Sequence, residues 1–169
     1  MLINKTLIIF NFLFYFLMSQ LWDKYSRADK QTIVIIGVLI LSAKLCKADG
    51  HFSQVEEEEI LKIIPHESYQ RDNLIEILEE GASDDKPIQE DARRLKKLIG
   101  EGNKPFLEFI IAVLYRLAEV DHVMSSEELR DIQIVALEFG VVKVPFMDQI
   151  RQIALKFGKS LRLNNVKFK

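Results

Sequence analysis

Sliding the chain against itself by 72 positions lays Lys44-Leu45-x-x-x-Asp49-x-x-x-Ser53-x-x-Glu56-x-x-x-Ile60 over Arg116-Leu117-x-x-x-Asp121-x-x-x-Ser125-x-x-Glu128-x-x-x-Ile132. Each copy reads as an apolar helix, an acidic turn and a second, amphipathic helix, so the repeat confines the chain to folds built from two related helical hairpins. Packed face to face about a pseudo-twofold axis, such hairpins are expected to bring Asp49 and Asp121 near one another.

Helical spacing extends well beyond the repeat. Ile88, Ala92, Leu95, Leu98 and Ile99 recur on one side of a helix, with Arg93, Arg94, Lys96 and Lys97 on the other, where they are expected to form a solvated face. Phe146, Met147, Ile150, Ile153, Ala154 and Phe157 repeat the pattern, and 106–117 is apolar nearly all round, as a central helix is. No stretch alternates with period 2. Breaks at Asp49-Gly50, at Pro65, from Gly81 to Pro87, from Gly100 to Pro105 and from Gly140 to Pro145 divide the chain. The expected fold is therefore all-α, a bundle of about seven helices near 31–47, 54–64, 67–80, 87–99, 104–119, 126–139 and 144–158.

Ahead of the bundle, 7–22 carries no charge and ends at Trp22, before Asp23-Lys24. Sixteen residues at ~1.5 Å each span about 24 Å, short against a hydrocarbon core of ~30 Å but extended by Leu2 to Asn4. We read the run as an uncleaved membrane helix, because Phe16 to Gln20 offers no small-residue cleavage site; a core helix and a cleaved signal are the alternatives. Lys24, Arg27 and Lys30 follow it while Lys5 alone precedes it, which places the body on the cytoplasmic side. The second apolar run, 32–43, is too short to span before Lys44 and reads as a central helix. The expected organisation is an anchor and exit over 1–29, a helical domain over 30–158 and a basic tail over 159–169. The anchor has no glycine between Leu7 and Trp22, so nothing supports dimerisation through a G-x-x-x-G seam.

The net charge of −2 conceals a partition: 1–48 carries +4, 49–138 carries −12 and 139–169 carries +6. That balance argues against a generally basic nucleic-acid binder. The tail, with Lys156, Lys159, Arg162, Lys167 and Lys169, reads as a solvated segment or as one that touches anionic headgroups or the acidic body. A lone cysteine, Cys46, forms no intramolecular disulfide and is expected to be a buried thiol.

The repeated acids admit two readings. Ser53-Gln-Val-Glu56 and Ser125-Ser-Glu-Glu128 both have the form of capping boxes, which accounts for the serines and glutamates. The aspartates need more: Asp49-Gly50 has turn chemistry, but Asp121-His122 keeps the acid without the glycine. The sharper reading makes Asp49, Glu56, Asp121 and Glu128 oxygen ligands for a divalent cation, with Glu57 or Glu127, His51 or His122 as auxiliaries. An EF-hand does not fit, since its twelve-residue loop carries acids at alternate positions. The histidines lack zinc spacing.

Nothing resembles a catalytic centre. There is no G-x-S-x-G elbow, phosphate-cradling glycine loop, H-E-x-x-H helix or activated cysteine, so a non-enzyme is expected, with a metal-dependent hydrolase as the competing class.

The pattern Lys47-Ala-Asp-Gly-His-Phe-Ser-Gln-Val-Glu56, echoed by Glu119-Val-Asp-His-Val-Met-Ser-Ser-Glu-Glu128, resembles the doubled A-D-G-x-x-S-x-x-E signature of the TerB (tellurite-resistance) domain. The second copy departs by placing His122 where the first has Gly50. Placement behind an apolar segment resembles the N-terminal part of DjlA-type membrane-anchored J-domain co-chaperones. The likeness covers about 22–157. It implies a compact all-helical domain of two related halves, a metal-binding role for Asp49, Glu56, Asp121 and Glu128, an inner-membrane location with the bulk in the cytoplasm, and partners in chaperone or stress-response machinery. A J domain itself is not expected: His66 follows Pro65 and precedes Glu67, leaving no His-Pro-Asp loop, and 158–169 is too short to hold one. A metal-independent membrane adaptor is the alternative function.

Overall fold

The structure is a computed structural model, and it describes residues 20–47, 52–119 and 124–141. Among these the chain is all-helical: α1 (Gln20–Tyr25), α2 (Lys30–Lys47), α3 (Gln54–Ile63), α4 (Arg71–Ser83), α5 (Ile88–Ile99), α6 (Lys104–Ala118) and α7 (Ser126–Phe139), with a 3-10 turn at Ser68–Gln70 leading into α4. The expected helix over 144–158 and the expected membrane helix lie outside the described residues, apart from the latter's last three positions. No helix among the described residues is long and apolar enough to cross a membrane.

The second apolar run is the hub. Fifteen of the eighteen residues of α2 are buried, from Thr32 to Cys46, because α4, α5 and α6 pack around it and α3 and α7 touch it as well. A helix apolar on every side has no solvent face to offer, so it takes the centre. Cys46 is buried in it, as expected. Glycines set the helix spacing at two crossings. A Cβ at Gly37 would lie 2.3 Å from Leu95 Cδ2 on α5, and one at Gly81 would lie 3.0 Å from the Cα of Ile40 on α2. Gly81 therefore does not end α4 as its sequence context suggests; the helix runs through it to Ser83, bringing its backbone against that of α2.

The repeat is realised as two hairpins, α2–α3 and α6–α7. Their central helices, α2 and α6, pack on one another. Reciprocally, α3 touches α6 and α7 touches α2, the cross-contacts a pseudo-twofold arrangement requires. After α7, Gly140 adopts φ 71°, and the amide of Val141 bonds back to the carbonyl of Ala136 at 2.9 Å, closing the helix with a left-handed cap.

The segment assigned from sequence to the anchor's exit enters this core. Trp22 and Tyr25 are buried (3% and 8% exposed) and Leu21 packs against the cluster. Among the described residues, the apolar core thus includes α1.

Candidate functional site

Both acidic motifs deliver their second half as capping boxes. At the start of α3, Ser53 Oγ accepts from the Glu56 amide at 3.2 Å, and Glu56 Oε2 accepts from the Ser53 amide at 2.7 Å. At the start of α7, Ser125 Oγ accepts from the Glu128 amide at 3.1 Å, and Glu128 Oε2 accepts from the Ser125 amide at 2.8 Å. Each box satisfies two amides that the first helical turn leaves without partners and places a carboxylate at the positive end of the helix. Ser53→Ala and Ser125→Ala are each expected to cost about 1 kcal/mol; urea-denaturation midpoints of the single and double variants check the size and the additivity.

Asp49, Asp121, His51 and His122 lie outside the described residues. The structure thus brings Glu56 and Glu128 to equivalent positions, one at the head of each second helix. Among the described residues, no group of three or more His, Cys, Asp or Glu is disposed to hold a metal ion.

The deepest polar cluster is one that sequence reading missed. Lys44, 8% exposed on the last turns of α2, extends its ammonium between α5 and the α4–α5 loop. It donates to Asp84 Oδ2 at 2.9 Å, to the Asp84 carbonyl at 3.1 Å and to the Lys86 carbonyl. Asp91 Oδ2 stands 2.8 Å away as an ion-pair partner without an aligned hydrogen bond, and Asp91 Oδ1 accepts the indole N–H of Trp22 at 2.7 Å. Burial pushes the Asp91 carboxyl above its ordinary range, against the opposing pull of Lys44 and the indole. One signal was available: Asp91 is three residues after Ile88 and four before Leu95, on the apolar stripe of α5, where an acid must find a buried donor.

Lys44 also breaks the symmetry of the repeat, since its counterpart Arg116 is exposed. The basic face of α5 is solvated as expected at Arg93, Lys96 and Lys97, and Arg93 reaches across to Glu138 of α7 at 3.0 Å while Gln89 donates to the same carboxylate.

Comparison with family models matches residues 35–152 to TerB, described as Tellurite resistance protein TerB. No curated protein and no solved structure matches the chain. The match covers both capping boxes and both hairpins of the repeat except the start of α2, and on it the chain belongs to the TerB family.

Proposed function

We propose that this TerB module is non-catalytic and takes a divalent cation at its two acidic turns, with Asp49, Glu56, Asp121 and Glu128 as the oxygen donors. In this reading the apolar N-terminal run holds it at a bacterial-type inner membrane with its bulk in the cytoplasm, where it serves protein partners in a co-chaperone or stress-response setting. The observation that carries the ion reading is the equivalence of the two capping boxes, which hold Glu56 and Glu128 in the same cap bonds at the head of each second helix, seven positions after Asp49 and Asp121 in the sequence. Each cap bond engages Oε2, and a carboxylate offers further acceptor sites through its other oxygen. Hard oxygen donors of this kind suit Mg²⁺, Ca²⁺ or Mn²⁺ rather than a thiolate-seeking metal.

The same cap bonds favour the second reading, a metal-independent adaptor in which the glutamates serve the helices alone. Calorimetric titration of the full chain in detergent with Ca²⁺, Mg²⁺, Mn²⁺ and Zn²⁺ decides between them. Saturable heat that disappears in Asp49→Ala/Asp121→Ala is the expected result; no heat and no shift in melting temperature with any of the four ions leaves the adaptor. The full chain is needed because truncation after Trp22 removes a core side chain.

A further inference from the structure

The α4–α5 loop is built around a single positive charge. Its oxygens converge on the Lys44 ammonium as acceptors: Asp84 Oδ2 at 2.9 Å, the Asp84 carbonyl at 3.1 Å and the Lys86 carbonyl. A primary ammonium has three N–H donors, so these bonds use all of them. Asp91 Oδ2, at 2.8 Å, adds charge without taking a donor. The side chains are nearly closed to water, at 6% exposure for Lys44, 13% for Asp84 and 1% for Asp91. Two carboxylates thus face one ammonium, while the next cation along α2, Lys47, stands 3.9 Å from Asp85 at the surface. The cradle keeps an excess of negative charge.

This set of acceptors selects among cations. Its spacings are those of charge-assisted N–H···O bonds, longer than the ~2.0–2.6 Å at which Mg²⁺ and Ca²⁺ hold oxygen. A guanidinium is a flat fork whose donors do not radiate from one point. A primary ammonium matches both the spacing and the number of acceptors.

We propose that the α4–α5 loop, together with Asp91, is a binding site for a primary alkylammonium ion, which the chain fills with its own Lys44. The charge and N–H donors of the occupant, rather than its covalent bond to α2, organise the loop. Lys44→Ala deletes the atoms of a propylammonium ion and leaves a space of that shape ending at the loop oxygens and Asp91. The loop lies at the surface, with the Asp85 side chain 86% exposed, so a free ion has a short path in. Lys44→Met differs, because its unbranched side chain still fills the space of the stem and loses only the charged end.

A ligand that binds the folded state alone stabilises it by mass action. In the full chain, the urea-denaturation midpoint of Lys44→Ala is expected to rise saturably with propylammonium chloride and to recover at least about half of the lost midpoint. Tetramethylammonium chloride, which carries the same charge without an N–H, should give no such rise, and propylammonium should not rescue Lys44→Met. Where Lys44→Ala does not fold in buffer, recovery of its helical signal at 222 nm by propylammonium is the expected result. The unaltered chain supplies a test that needs no variant. With all three donors bonded and shielded, the Lys44 ammonium protons should exchange slowly enough to give a ¹⁵N-coupled signal at neutral pH, whereas those of the exposed Lys62 and Lys96 should not. Equal responses to the two salts, no response to propylammonium, or Lys44 protons exchanging as fast as those of exposed lysines overturns the proposal.

Discussion

Lys44→Met will be among the most damaging single substitutions in this protein, at about 3–5 kcal/mol, because it strands the Asp91 carboxylate in the core and takes the donor from the Asp84 and Lys86 carbonyls. The loss is larger than the net worth of the ion pair, since most of it is the cost of a buried charge left without a partner. Lys44→Met/Asp91→Leu should accordingly recover part of the loss, but not all of it: Asp84 and the loop carbonyls stay without the ammonium and the Trp22 indole loses its acceptor. Arg116→Met, at the matching place in the second half, should change stability by less than about 0.5 kcal/mol. Urea-denaturation midpoints of the four chains check the series, and equal effects at Lys44 and Arg116 would contradict the buried clamp.

Gly37→Val should be almost as costly, at about 3 kcal/mol, the upper end for overpacking a filled core. The first added carbon already falls 2.3 Å from Leu95 Cδ2 and 2.7 Å from Leu95 Cδ1, and Leu95 is fully buried, so its side chain must shift within the core. Gly37→Ala places the same carbon there but gains about 1 kcal/mol of helix propensity, so its net cost is smaller. The clash is specific to one neighbour. Leu95→Ala alone should cost about 2–5 kcal/mol through the cavity it leaves, yet Gly37→Val/Leu95→Ala should be more stable than the sum of the two singles implies, because each change relieves the other. Thermal melts of the three chains measure that coupling; strict additivity would place the two side chains out of contact.

The elements that sequence reading located are those whose signal is local. Five helices begin and end within about two residues of their expected bounds, since apolar spacing, the Ser-x-x-Glu caps and the Gly-Pro breaks all act over one or two turns. The capping boxes at Ser53 and Ser125 were legible for the same reason. The errors arose where a distant partner decided the outcome. Gly81 reads as a stop, and in isolation a glycine does favour one; the backbone of Ile40 makes it a crossing point instead, and α4 continues. Its start is also later than expected, because Glu67 and Gln70 form a 3-10 turn ahead of Arg71.

Trp22 reads as the aromatic end of a membrane run, and nothing within ten residues reveals the carboxylate that holds its indole. That carboxylate belongs to Asp91, 69 positions away. In the sequence Lys44 is the head of the repeat and the charge that ends an apolar run, although a lysine on a helix apolar all round requires an acid to meet it. The candidate ion site was legible as a pattern of residue types and spacing, not as a geometry: two of its four carboxylates are at helix caps, and the aspartates lie outside the described residues.

What distinguishes an ion-linked module from a pair of well-capped hairpins is whether the two turns act together. Equilibrium binding of Mn²⁺ to the full chain, followed by the loss of its free-ion paramagnetic signal, measures this directly. A single bound ion per chain, lost on either Asp49→Asn or Asp121→Asn alone, is the expected result, because in the proposed site each turn would supply only part of a coordination shell. Two independent ions, one surviving each substitution, or no saturable binding at all, would contradict a shared site.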